Sequence, residues 1–172
     1  MAYFTLTTKL LNLIRATPGA RVVSTASSMQ ARGKLDLEKT PTELGVSGPR
    51  AYATSKLANI LFTKELQRRL AGTDAVANCF EPGMVRTQFG GMGSDQGFLL
   101  NMVYQIAAPF AVPPEVGADS LIWLATSKEA AELRGQYVSK RKPATPQTQA
   151  MDTQLAEGLW ALSEKLCAKA VV

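Results

Sequence analysis

Helix-period and strand-like segments alternate along this chain, and that alternation restricts its fold more than any other feature. Within residues 3–15, Leu6, Leu10 and Ile14 fall at i, i+4 and i+8, the stripe of an amphipathic helix. Thr17-Pro18-Gly19 ends it with turn residues. Arg21 to Ala26 reads as a strand through Val22 and Val23. Residues 50–70 predict a second helix that buries Leu57, Ile60, Leu61, Phe62 and Leu66. Its Glu65 and Arg69 form a favourable i,i+4 pair, and Gly72 supplies the stop. Ala75 to Phe80 is a second strand, broken by Glu81-Pro82-Gly83. Pro113-Pro114 opens a helix running to about Ala125. Ser127 to Leu133 forms a short helix, Gly135 to Ser139 a third strand, and residues 149–168 a closing amphipathic helix. The order implies βαβ units, right-handed crossovers and an α/β fold around a doubly wound parallel sheet. The chemistry of such a sheet sits beyond the carboxyl ends of its strands, where Ser27 and Pro82-Gly83 fall.

Two stretches interrupt the pattern. Residues 29–49 are polar and rich in Gly and Pro, a connection long enough to suggest function or disorder. Gly90, Gly91, Gly93 and Gly97 suggest a mobile loop, followed by an apolar helix over Phe98 to Phe110.

The 172 residues, 46% hydrophobic and 19% charged, make one domain with a sizeable core. The net charge of +5 is spread along the chain, with one tight cluster at Lys140-Arg141-Lys142. No basic face interleaved with aromatics accompanies it, which argues against a nucleic-acid partner. Cys79 and Cys167 lack CxxC spacing and read as free thiols of a reducing compartment. No run of 18 apolar residues occurs and no basic region precedes the first helix, so a cytoplasmic location is expected.

The chain has no histidine. That removes Ser-His-Asp and Cys-His catalysis, and no metal site is expected. Acid–base work falls to Tyr, Lys, Asp or Glu. Tyr52 and Lys56 sit at i, i+4 and share one helix face. A phenol titrates near ~10 and is a poor base at neutral pH, but a nearby ammonium favours the phenolate. Taken alone, the pair also fits an exposed helix contact. Ser27, at a strand end, fits either a hydrogen bond to a carbonyl oxygen or a turn or cap.

Three segments in order, Arg21-Val-Val-Ser-Thr-Ala-Ser-Ser28, Tyr52-Ala-Thr-Ser-Lys-Leu-Ala-Asn-Ile-Leu-Phe62 and Glu81-Pro-Gly-Met-Val-Arg-Thr87, resemble the short-chain dehydrogenase/reductase family. The nearest branch is the retinol-dehydrogenase-like and protochlorophyllide-reductase-like one. Pro114-Glu-Val-Gly-Ala118, Gly135-Gln-Tyr-Val138 and Leu159-Trp-Ala-Leu-Ser-Glu-Lys165 are similar to it too.

The resemblance implies NAD(P)-dependent interconversion of a carbonyl and an alcohol. Tyr52 would be the acid/base, Lys56 would favour its phenolate and bind the nicotinamide ribose, and Ser27 would orient the substrate oxygen. Ser27 is preferred to Ser28 because it lies six positions before Gly33, as in that branch. Pro82 and Gly83 would wall the nicotinamide, Val85 would meet the carboxamide through its backbone, and Thr87 would reach the cofactor phosphates. The cofactor would be NADP or NAD. The substrate would be a small-molecule, hydrophobic carbonyl or alcohol, since the apolar stretch Phe98 to Val112 lies where the family places its lid. That stretch also fits a membrane-surface contact, and a homo-oligomer is a further expectation.

The family's Gly-rich first turn and its Asn-Asn-Ala-Gly segment are not in this sequence. The resemblance therefore covers the C-terminal part of an incomplete Rossmann-like domain, over residues 1–172. It implies that the strand near Val22 is an exposed sheet edge and that apolar helix faces are bare. The alternative reading is a truncated, non-catalytic interaction module.

Overall fold

The computed structural model describes residues 1–39, 48–85 and 111–169. Among these, four α-helices and four strands follow one another: α1 (Ala2–Ala16), β1 (Arg21–Thr25), α2 (Gly48–Arg69), β2 (Val76–Glu81), α3 (Pro114–Thr126), β3 (Tyr137–Ser139), β4 (Lys142–Pro143) and α4 (Thr153–Lys169). Three 3-10 turns fill the connections, at Ser28–Arg32, Glu129–Glu132 and Thr148–Met151. The expected loop at Gly90–Gly97 and helix at Phe98–Phe110 lie outside the described residues.

Among the described residues the sheet order is β1-β2-β3-β4. β1 runs parallel to β2, and β2 parallel to β3. A fourth strand, not expected from the sequence, extends this parallel sheet: β4 returns antiparallel to β3, pairing Val138 with Pro143 and Ser139 with Lys142. Its turn is the basic cluster itself, where Lys140 and Arg141 take left-handed φ values of 50° and 58°. Neither residue is a usual carrier of that conformation, so the hairpin had no local signal. Arg141 is held there by an ion pair with Asp119 and by its backbone N–H, which donates to Ser120 Oγ at 3.1 Å.

Strand alternation divides the core between two faces. Val22, Ala26, Ala77, Cys79 and Tyr137 face the layer formed by α1, α2 and α4. Phe80, Val138 and Val23 face α3 and its following turn through Leu124 and Ala130. The predicted buried residues of α2 are all buried, with Leu57, Ile60, Leu61 and Leu66 fully so. Helix α1 docks through Phe4, whose ring meets Trp160 edge-on at 4.9 Å. The stripe expected at Leu6, Leu10 and Ile14 is not the buried one: Leu6 and Leu10 are exposed together with Leu13, while Leu11 and Ile14 pack beside Phe4.

Glu65 is more than the surface pair its spacing suggests. It is 1% exposed, and three guanidinium hydrogen bonds, two from Arg68 and one from Arg69, meet its carboxylate at 2.7–2.9 Å. Arg68 continues to Glu157 of α4 at 3.1 Å, and Arg69 lies 4.4 Å from the Trp160 ring centroid.

Candidate active site

Parallel neighbours end together, so β1 and β2 deliver their outgoing chains to one edge. Thr25 is paired with Phe80, and the Ala26 N–H donates to the Phe80 carbonyl at 2.7 Å. Ser27 follows the first strand directly, and Pro82-Gly83 follows the second.

Ser27 caps the 3-10 turn Ser28–Arg32, its Oγ accepting from the Met29 N–H at 3.2 Å. Capping leaves the hydroxyl hydrogen and one lone pair for another partner. Ser28 is exposed.

Tyr52 lies in the second turn of α2 and is half-buried. Lys56, one turn on, places Nζ 5.3 Å from the centroid of the Tyr52 ring, within reach of the ring face. The same ammonium donates to the Thr25 carbonyl at 3.2 Å. Partial burial holds Lys56 below the ordinary lysine pKa. Asn59 donates to the same Thr25 oxygen at 3.0 Å. Residues of odd number in β1 turn their backbone groups away from β2, because Ala20 O and Ala26 N point towards it. Lys56 and Asn59 therefore satisfy the last acceptor on the side of β1 that faces away from β2.

Beyond β2, Gly83 takes a φ of +73°, which a side chain would strain, and a Cβ there would find no heavy atom within 4 Å. That absence of neighbours holds among the described residues. Val85 forms a parallel bridge with Val112, whose N–H donates to Met84 O at 2.8 Å. The Val85 side chain packs onto Gly117, where a Cβ would approach Cγ2 to 2.4 Å. Thr87 lies outside the described residues.

Two residues of this edge escape sequence reasoning. Asn59 sits inside the Tyr52–Phe62 segment, and only the fold brings it to Thr25. Glu81 reads as part of the strand break, yet it is the last residue of β2 and accepts from Ser139 Oγ at 2.7 Å. Its Oε2 is buried without a hydrogen-bond partner among the described residues. Tyr137 lies on the same sheet face, and burial, then the Glu81 charge, push its pKa up.

Among the described residues no group of His, Cys, Asp and Glu could hold a metal ion, and no helix is long and apolar enough to cross a membrane.

No family model matches the chain. It is similar to retinol dehydrogenase 14 of Homo sapiens, 34% identical over 164 residues, covering 95% of this chain and 49% of that protein. Retinol dehydrogenase 12 of Homo sapiens is 32% identical over 166 residues, covering 96% and 51%. The WW domain-containing oxidoreductase of Danio rerio is 30% identical over 175 residues, covering 96% and 42%. The chain thus spans about half the length of the curated relatives it matches. Among solved structures, the crystal structure of an uncharacterized protein from Mycobacterium paratuberculosis superposes with a TM-score of 0.60 at 30% identity, covering 86% of this chain and 50% of that one. The four-stranded sheet and its flanking helices form a partial Rossmann-like fold.

Proposed function

We infer that this chain, a homologue of the retinol dehydrogenases among the short-chain dehydrogenases/reductases, carries the reaction residues of an NAD(P)-dependent oxidoreductase that interconverts a carbonyl and an alcohol. The observation that carries the reading is the Lys56 ammonium beside the Tyr52 ring at the strand edge that also receives Ser27.

The residues fit the nicotinamide end of a dinucleotide. Among the described residues nothing lies within 4 Å of a Cβ placed at Gly83, at the exit of β2, and Lys56 presents a partly buried ammonium for ribose hydroxyls. Pro82 and Gly83 would form the wall behind the ring, Val85 would offer backbone groups to the carboxamide, and Thr87 would reach towards the phosphates. The nicotinamide ring, when bound, supplies the hydride chemistry. The chain's own part is protonic. Tyr52 Oη gives its proton to the substrate oxygen during reduction, or takes it during oxidation. Lys56 favours the negative phenol oxygen, and the Ser27 hydroxyl hydrogen-bonds the substrate oxygen and orients it. A hydrophobic aldehyde, ketone or alcohol is the substrate class.

Titration with NADPH and NADH tests the reading. Saturable binding at micromolar cofactor supports it, and no binding of either contradicts it. A second reading, an interaction module without turnover, draws on the edge position of β1 among the described residues and on the exposed leucines of α1. It predicts no cofactor binding.

A further inference from the structure

Ser27 is bracketed by two attachments of its segment to α2. On one side, Thr25 O is held by Lys56 and Asn59. On the other, Gly33 closes the 3-10 turn and presses against α2 at the residue after Tyr52. A Cβ at Gly33 would lie 2.6 Å from the Ala53 carbonyl oxygen, 2.9 Å from its carbon and 3.0 Å from Leu57 Cβ. Gly33 has an ordinary φ of −71°, so backbone freedom is not what the position requires. It requires the missing side chain.

The obstacle is rigid. Ala53 O belongs to the backbone of a helix, and both Ala53 and Leu57 are 0% exposed. Gly33 cannot simply retreat, because its own carbonyl accepts from Gln147 Nε2 at 2.8 Å. The next residue is also fixed: Thr54 Oγ1 donates to Lys34 O at 3.1 Å and accepts from the Lys34 N–H at 3.3 Å. A methyl group here must move the 3-10 turn relative to α2, and Ser27 caps that turn.

We propose that Gly33 is a positioning residue: its contact with the Ala53 backbone sets the gap between the Ser27 hydroxyl and the Tyr52 phenol. Specificity for the reacting geometry then resides partly in a residue that touches neither substrate nor cofactor. The inference rests on the oxidoreductase reading above, but its structural half stands on the contact alone.

The test compares the parent chain with Gly33→Ala by backbone amide NMR, reading kcat and cofactor Kd on the same samples. The expected result is amide shifts concentrated at residues 27–34 and 50–57, with those of β2 and β3 unmoved. With it, kcat falls about ten-fold or more while cofactor Kd stays within about two-fold, since small misplacements of reacting groups are costly. Amide shifts absent from residues 50–57, or kcat unchanged, would overturn the proposal. Should Gly33→Ala fail to fold, Thr54→Ala cuts the adjoining tie without a clash. It should lower kcat several-fold at unchanged Kd, and an unchanged kcat there also overturns the proposal. A parent chain without turnover or cofactor binding contradicts the functional reading, and the amide shifts still decide whether Gly33 spaces the two segments.

Discussion

The Lys56 ammonium lies 3.2 Å from the Thr25 carbonyl oxygen, so the helix carrying Tyr52 is fastened to the end of the strand that delivers Ser27. Asn59 makes the second bond to that oxygen. Replacing Asn59 by Ala removes one donor and keeps the other. The expected cost is about 1 kcal/mol, the worth of one such bond. Urea unfolding of parent and variant measures it, and an unshifted midpoint would show the tie to be idle.

Glu65 should govern stability in acid. Burial alone would raise its carboxyl pKa, but the hydrogen bonds and charges of Arg68 and Arg69 hold it below the ordinary value. A lowered carboxyl stabilises the fold above its unfolded pKa, about 4.3, and that contribution is lost as pH falls through the folded value. Glu65→Gln should cost about 1–3 kcal/mol at neutral pH and flatten the acid limb of the stability profile. Parallel acid limbs for the two proteins would contradict this.

The two thiols should separate by reactivity. Burial pushes Cys79 up to about 12, against the weaker opposing effects of Thr63 and Lys64. Cys167 is partly exposed, its Sγ 3.2 Å from Thr5 Oγ1. One thiol per native chain should react with a soluble reagent near pH 8, and both after unfolding. Two fast thiols in the native chain would contradict the burial of Cys79. The raised thiol also stabilises the fold fully below the unfolded value, about 8.5, and this is lost as pH climbs from there towards the folded one.

Helix α1 offers a contrast between its faces. Phe4 is buried against Trp160 and Phe62, whereas Leu10 on the opposite side is exposed. Phe4→Ala should cost about 3–5 kcal/mol, and Leu10→Gln should stay within about 0.5 kcal/mol while raising solubility. Calorimetric melting of both variants checks the pair, and equal losses would mean that α1 docks differently.

Legibility followed the range of the forces involved. The buried side of α2 was readable because Leu57, Leu61 and Phe62 repeat at helical spacing. Glu65 was readable as an i,i+4 partner, but its arginines also reach α4, Arg68 to Glu157 and Arg69 to Trp160, contacts that no local window contains. The β3–β4 hairpin turns on two basic residues in left-handed conformations, pinned by Asp119 and Ser120 some twenty positions upstream. Tyr52, Lys56 and Ser27 could be named from their segments. The bonds of Asn59 to Thr25 and of Glu81 to Ser139, and the close approach of Gly33 to Ala53, could not, because each depends on a neighbour that only the folded chain supplies.

The most direct test replaces Tyr52 by Phe and follows consumption of reduced nicotinamide cofactor with a hydrophobic aldehyde, with cofactor affinity measured beside it. Loss of the proton-transferring hydroxyl should cut turnover by roughly 10²–10⁴-fold, with cofactor binding close to that of the parent. A Tyr52→Phe chain that turns over at the parent rate would contradict the assignment of Tyr52 as acid/base.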